Sequence, residues 1–248
     1  MRVLAIDTST WTCSVALARD GVVLVERCER TGASHAGTLP RLIVDVLAAA
    51  GERPQAGDAV AVSIGPGSFT GLRIGLSLAK GLAFAGGLRI VGVPTLDALA
   101  LAAPPWAGRL CAALDARKQE IYAAVYERDG ARIVRVGGPW AIAAARLAAA
   151  LASPCTFIGE AVEVYGDVLR RVLGEGITLL GPKEHPPRAS AVARLAAARL
   201  AYEPAGDDLV TLTPTYVRPP EAELTQSPGA PSTTPRAVAF VDKVALLY

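Results

Sequence analysis

Leu110-Cys111-Ala112-Ala113-Leu114-Asp115 is a short apolar run that stops on an acid, and the chain has already used the same order at Val3-Leu4-Ala5-Ile6-Asp7. Runs of this length with polar punctuation fit strands buried on both faces. The alternating stretch Cys13-Ser14-Val15-Ala16-Leu17 follows the first run, and Glu120-Ile121-Tyr122-Ala123-Ala124-Val125-Tyr126 follows the second. Each stretch then meets an Asp-Gly pair, Asp20-Gly21 or Asp129-Gly130, and returns through Val22 to Val25 or Ile133-Val134. Asp-Gly between alternating segments predicts a tight hairpin, because primed turns need positive φ. Each acid precedes its Asp-Gly by nearly the same interval, so the shared order predicts an internal duplication whose halves both open on a three-stranded meander.

Between and after these meanders the periodicity turns helical. Ser34 is placed to cap a helix carrying Leu39, Leu42, Ile43, Val46 and Leu47, which Gly51 ends. A buried strand is predicted over 59–64, a turn at Gly65-Pro66-Gly67-Ser68, a long helix over about 70–85 and a strand over 89–93. Thr95 is read as the cap of a helix reaching about Ala102, and Pro104-Pro105 marks a boundary. In the second half helices are expected at 141–151, 161–173 and 190–200, with strands at 156–158, 177–180 and 209–216. Strands alternating with helices, twice over, give an α/β chain with units at 1–103 and 104–218. The remainder, 219–248, begins as a Pro/Ser/Thr-rich linker (219–236) and closes on AVAFVDKVALLY, which can dock as strand or as helix.

Hydrophobic residues make up 52% of the chain and charged residues 19%, so material for a core is ample. Lys+Arg 25 against Asp+Glu 23 leaves +2, too little charge to hold a nucleic acid by phosphate contacts alone. Cys13, Cys28, Cys111 and Cys155 are scattered without a CxxC pair, which reads as buried thiols in a reducing cytoplasm. The N-terminus lacks the apolar core of a signal peptide, and no run of about 20 apolar residues could span a membrane. A soluble, cytoplasmic protein is expected.

Gly65-Pro66-Gly67-Ser68-Phe69-Thr70-Gly71 joins a strand to a helix, where backbone N–H groups can cradle an anion; taken alone, a tight turn with no ligand is the favoured reading. It is not a Walker A loop, since no Lys-Ser/Thr follows, and Thr70 stands where a dinucleotide fingerprint has its third glycine. Gly71, Gly75, Ala79 and Ala83 make a strip of small residues along the helix. Glycine in a helix interior costs about 1 kcal/mol relative to alanine, so close approach by a neighbour is expected, either from this chain or from a second subunit. Asp7 and Asp115 each end a buried strand, in place either to approach a metal–nucleotide pair or to cap the following turn. His35 and His185 are read as isolated, His35 as a surface residue, and no Gly-x-Ser-x-Gly elbow supplies a nucleophile.

Four segments together resemble the TsaB family of the bacterial tRNA threonylcarbamoyladenosine pathway, once grouped with the glycoproteases. They are Leu4-Ala5-Ile6-Asp7-Thr8-Ser9, the run from Gly65 through Gly71-Leu72-Arg73-Ile74-Gly75, Leu114-Asp115-Ala116-Arg117 with Glu120 and Tyr122, and Pro214-Thr215-Tyr216-Val217-Arg218. The likeness covers about residues 1–218. It implies a duplicated, two-lobed actin-like ATPase fold of the ASKHA, ribonuclease H-like kind. It also implies a non-catalytic subunit, with no catalytic residue and no metal of its own. Such a subunit holds and activates a TsaD-like catalytic paralogue, which adds threonylcarbamoyl to the adenosine next to the anticodon of ANN-decoding tRNAs. A TsaE-like ATPase is a further implied partner, tRNA is reached only through the complex, and ATP or ADP has its place at the complex interface.

TsaD-type chains carry a His-Leu-Glu-Gly-His-like segment with two metal ligands. Here the stretch after Val91-Gly92-Val93-Pro94 reads Thr95-Leu96-Asp97-Ala98-Leu99, so both histidine positions are lost. The resemblance puts the partner interface on the helices at about 34–50 and 70–85, through Leu39, Leu42, Val46, Leu72, Gly75, Leu76 and Ala79. The same surface would serve a homodimer when the chain is alone. Gly75→Arg is accordingly expected to abolish pairing and leave the subunit folded. A vestigial phosphate or nucleotide cleft would use Asp7, Thr8, Ser9, Gly65, Gly67, Ser68 and Asp115. The competing readings are an actin-fold small-molecule kinase or ATPase acting alone, a metalloprotease, and a free-standing binding protein. The kinase is disfavoured because Phe157-Ile158-Gly159-Glu160-Ala161 offers one glycine for an adenosine.

Overall fold

The computed structural model describes residues 1–31, 35–53, 58–130, 132–151 and 153–218, together with the backbone of a strand at 240–245. The first meander is β1 (Arg2–Asp7), β2 (Thr12–Arg19) and β3 (Val22–Arg30), turning at Asp20 and Gly21 with φ of 50° and 79°. Then come α1 (His35–Ala49), β4 (Ala59–Gly65), α2 (Phe69–Gly86), β5 (Arg89–Pro94) and α3 (Thr95–Leu101). The second half repeats this order. It runs β6 (Arg109–Asp115), β7 (Glu120–Asp129), β8 (Arg132–Ala143), α4 (Ala144–Ala150), β9 (Cys155–Ile158), α5 (Ala161–Leu173), β10 (Ile177–Leu180) and α6 (Ala189–Tyr202). A last strand, β11 (Phe240–Ala245), follows.

The two sheets are ordered β3-β2-β1-β4-β5 and β10-β9-β6-β7-β8-β11. Leaving β11 aside, the second sheet is the first with each strand replaced by its counterpart. Both have an antiparallel meander followed by two strands added in parallel, β4 and β5 or β9 and β10. The duplication and the two-lobed fold expected from the repeat are therefore present.

Strand periodicity assigns the core. Along β1, Val3 and Ala5 point into a cluster shared with the second sheet, while Leu4 and Ile6 point the other way, onto α1 and α2. Along β6, Leu110, Ala112 and Leu114 enter the shared cluster, and Cys111 and Ala113 face α4 and α5. Central strands covered on both faces explain why these runs read as continuously apolar. The shared cluster is filled by α3 and by Ala189, Val192, Ala193 and Ala196 of α6. Thus α6, although it follows the second sheet in sequence, lies against β1, β2, β4 and β5 of the first.

Some expectations are corrected. The helix predicted at 141–151 begins only at Ala144, because β8 continues to pair with β7 through Glu120↔Ala143. Thr95 does not cap α3: Pro94 is the N-cap residue, and the Thr95 hydroxyl accepts from the Gly65 N–H instead. No strand forms over 209–216. Asp208 Oδ1 there accepts from the Val210 and Thr211 N–H groups and the Thr211 hydroxyl, which curls the chain into a turn that competes with strand pairing. The Ser34 cap and the 219–236 linker lie outside the described residues. The closing segment forms strand over 240–245.

A buried polar cluster ties α3 to the second sheet. Tyr126 Oη donates to Asp97 Oδ1 at 2.7 Å, and Arg135 donates to the same oxygen at 3.2 Å. Removing the phenol hydroxyl leaves that buried carboxylate short of a donor, which costs about 1–3 kcal/mol. Tyr126→Phe is expected to lose this much stability in urea unfolding, with Tyr122→Phe as the milder control.

Candidate functional site

The ends of β1 and β4 meet the start of α2, and the contact is unusually close. Ser68 N–H donates to Ser9 O at 2.7 Å, and Thr8 Oγ1 donates to Gly71 O at 2.8 Å. A Cβ on Gly67 would lie 2.4 Å from Ser9 O, one on Gly71 2.1 Å from Thr8 O, and one on Gly75 2.2 Å from Thr8 Oγ1. The glycines of the GPGSFTGLRIG run therefore exist to seat the Thr8-Ser9 turn on α2, and the close neighbour foreseen for the strip belongs to this chain. Ser68 caps α2 by accepting from the Gly71 N–H. Gly65, at φ +117°, backs onto the Thr215 carbonyl.

Seven of the residues assigned to a nucleotide cleft thus come together in part. Asp7, Thr8 and Ser9 are buried, and Asp7 Oδ1 accepts from both the N–H and the hydroxyl of Ser9. Asp7 therefore caps its turn. Burial pushes its carboxyl above the ordinary range, against the lowering effect of the Ser9 hydrogen bonds. Gly65, Gly67 and Ser68 close over the turn. Asp115 lies opposite, across a cleft of about 520 Å³ lined also by Thr10, Trp11, His35, Thr70 and Glu160. A metal–triphosphate group, as the actin-like fold implies, does not fit these residues. Within the turn the Ser68 N–H is already given to Ser9 O and the Gly71 N–H to the Ser68 hydroxyl, Asp7 is held by Ser9, and Asp115 is engaged by Arg117 and by the Tyr165 hydroxyl. Among the described residues no three His, Cys, Asp or Glu side chains are grouped to hold a metal ion.

Sequence reasoning missed several residues of this cleft. His35, expected at the surface, is 8% exposed; its Nε2 bonds to Thr10 O at 2.8 Å, and burial lowers its basicity. Glu160 accepts from the Trp11 N–H, and burial raises its carboxyl. The β6–β7 turn holds Arg117, Lys118 and Gln119 all at positive φ, with the Arg117 guanidinium 5.8 Å from the Trp11 ring. No local sequence signal marks that run. A strap at 214–218 crosses beside the cleft: Thr215 N–H donates to Ile64 O, Tyr216 Oη accepts from Arg73, and Arg218 pairs with Glu120.

The residues expected at the partner interface lie on the inward side of the two helices. Leu39, Leu42, Val46, Leu72, Gly75, Leu76 and Ala79 are all buried, packed beneath α1 and α2 against the sheet or the Thr8 turn. Large apolar residues at helical spacing mark the inward stripe, so they cannot also present a surface. The outward stripe carries Val44 (59% exposed), Phe69 and Phe84 (80% exposed). Between the helices runs a groove of about 700 Å³ lined by Ala36, Pro40, Phe69, Arg73, Ile74 and Leu78. Arg73 stacks on Phe69 at 3.8 Å, and Phe69 lies 5.5 Å from the Tyr216 ring. At the positions of the two metal-binding histidines, Thr95 bonds to Gly65 and Leu99 packs into the core beside Gly159.

Comparisons agree with this architecture. The family model described as "TsaD: tRNA N6-adenosine threonylcarbamoyltransferase" matches residues 27–226. The tRNA threonylcarbamoyladenosine biosynthesis protein TsaB of Bacillus subtilis is 30% identical over 90% of this chain and 96% of its own length. The protein of that name from Escherichia coli is 44% identical over 52% of this chain, which spans 56% of that relative. A crystal structure from Pseudomonas aeruginosa, described as having similarity to peptidase YEAZ, superposes with a TM-score of 0.72 at 30% identity, over 88% of this chain and 99% of that one.

Two substitutions test the seat. Gly75→Ala forces Thr8 to shift and is expected to cost about 1–3 kcal/mol in denaturant unfolding; Gly75→Arg, which meets Thr8 in the same way, is expected to lose more. Asp7→Asn keeps the acceptor for Ser9 and removes the ionisation. Because the folded state holds the Asp7 proton more tightly than the unfolded chain, the stability it brings is lost as pH rises through the folded value. Asp7→Asn is therefore expected to raise Tm at pH 7, with the gain vanishing below the unfolded value of 3.8.

Proposed function

Because the chain belongs to the TsaB family, whose named members are tRNA threonylcarbamoyladenosine biosynthesis proteins, we propose that it is the supporting subunit of a threonylcarbamoyl transferase complex. Its role is to hold and activate a TsaD-like catalytic paralogue that modifies the adenosine next to the anticodon of ANN-decoding tRNAs. The observation that carries this reading is the contrast between the two faces of α2. The inward face closes the phosphate position with the Thr8-Ser9 turn, while the outward face leaves Phe84 and Phe69 exposed, as Val44 is on α1. A chain built for its own phosphoryl chemistry would keep the first face open and cover the second.

Exposed aromatic and aliphatic side chains around a groove are what partner helices use as anchors. On this reading the TsaD-like paralogue lays its matching helices over α1 and α2. In its absence a second copy covers the same face, giving a homodimer. ATP or ADP then sits at the complex interface, where a TsaE-like ATPase acts, and tRNA is met only through the assembled complex. The loss of both imidazoles at Thr95 and Leu99, with those positions given over to packing, supports a non-catalytic part. Among the described residues no helix is long and apolar enough to cross a membrane, in keeping with the cytoplasmic location of tRNA modification.

Reconstituted tRNA threonylcarbamoylation tests this proposal, using the TsaD-like subunit, the TsaE-like ATPase and the carbamoyl-adenylate synthase, with and without this chain. Modification is expected to require the chain, while the chain alone turns over no ATP; equal modification without it overturns the reading. Val44→Glu and Phe84→Glu are expected to weaken capture of the TsaD-like subunit at least about tenfold, as loss of an interface anchor does. Their Tm values should stay near that of the parent chain, since both side chains are exposed.

A further inference from the structure

The two sheets end on counterpart strands that are treated differently. Among the described residues β3 ends the first sheet with no further strand paired to it, and its last five residues are Glu26, Arg27, Cys28, Glu29 and Arg30. Dense charge of this kind blunts an edge against pairing with another chain. Its counterpart β8 reads Arg132-Ile133-Val134-Arg135-Val136-Gly137-Gly138-Pro139-Trp140-Ala141-Ile142-Ala143 and carries no acid. Pro139 has no N–H, so it spoils the second half of β8 as a docking edge. The first half, 133–137, has a single charge, Arg135, and that is engaged by Asp97 rather than presented along the edge.

β11 lies on that unprotected half. Its register is Phe240↔Gly137, Val244↔Arg135 and Ala245↔Val134, so it stops short of Pro139. It also lies outside the residues that match the family model, 27–226. The edge that β11 itself presents is shorter than β8, its ladder is broken by an irregularity between Phe240 and Val244, and its sequence includes Asp242-Lys243. Those are three of the features by which proteins disarm an edge strand.

We propose that β11 is a covering strand, which occupies the unprotected half of the β8 edge in cis and so keeps it from pairing with the β8 edge of a second copy of this chain. An antiparallel β8–β8 contact is self-complementary, so an uncovered edge would pair about a two-fold axis. Covalent connection sets the competition. A segment joined to its site through 219–239 acts at an effective concentration on the order of mM, which a second copy does not reach in ordinary solution. The covering strand thereby leaves the outward face of α1 and α2 as the surface through which the chain associates.

The test uses the full chain with Val244→Pro, which removes a backbone donor from β11, and Val244→Ala as the control that keeps it. Hydrogen exchange at 133–137 and light scattering over a concentration series are read for both, with and without a synthetic peptide of residues 237–248. The expected result is exchange at least about tenfold faster in Val244→Pro only. That variant should also associate beyond the parent chain's state, and the peptide should reverse this. Unchanged exchange in Val244→Pro overturns the proposal, because β11 then does not cover the edge. Faster exchange without added association overturns it too, as does association that persists under saturating peptide, which must use another face.

Discussion

The molecule depends on one close approach, that of the Thr8-Ser9 turn to the first two turns of α2. Side chains longer than hydrogen at Gly67, Gly71 and Gly75 would meet backbone or hydroxyl oxygen at 2.1 to 2.4 Å, so the contact leaves no room for adjustment. It fixes the pitch of α2 against the first sheet, and α2 in turn fixes the groove it forms with α1. Two helical glycines cost roughly 2 kcal/mol in propensity relative to alanine, and the hydrogen bonds from Ser68 to Ser9 and from Thr8 to Gly71 offset part of that. The same packing that shapes the groove between α1 and α2 brings the Thr8-Ser9 turn against the start of α2.

In the second half the corresponding turn is managed by different means. No glycine strip receives Ala116 to Gln119, and the turn holds three non-glycine residues at positive φ. Asp115 accepts from the Arg117 N–H, and Arg218 reaches across from the strap to Ala116 O. One copy of the duplicated unit has thus become a rigid seat, while the other stays a half-open wall of the cleft.

What the sequence made legible follows from periodicity. The repeated apolar run, acid and Asp-Gly pair predicted two meanders, and the counterpart strand orders agree with it to the last parallel strand. The small-residue strip was legible as a close approach, since glycine inside a helix has few other uses. Whose backbone approaches was not legible, because Gly71 and Gly75 look the same whether they meet Thr8 or another subunit. The inward and outward stripes of α1 and α2 were open to confusion for a related reason. Leu39 and Leu72 satisfy the helical period as core and as interface alike, and only the position of the sheet decides. His35 and the strap at 214–218 owe their places to contacts distant in sequence, with Thr10 and with Ile64, and local pattern carries no trace of those.

The placement of α6 has a consequence for how the protein is made. A ribosome delivers β1, β2 and β4 early, yet the shared-core face of these strands, including Val3, Ala5, Ala16 and Ala61, is covered largely by residues beyond 188. Until those residues emerge, the first sheet has one face dressed by α1 and α2 and the other covered only in part, by α3. A nascent chain carrying an exposed apolar sheet face is the kind of species that chaperones retain, and contacts so distant in sequence slow the final docking. Completion of the first half must therefore wait for synthesis of nearly the whole second half, so the two copies of an ancient repeat no longer mature as separate units.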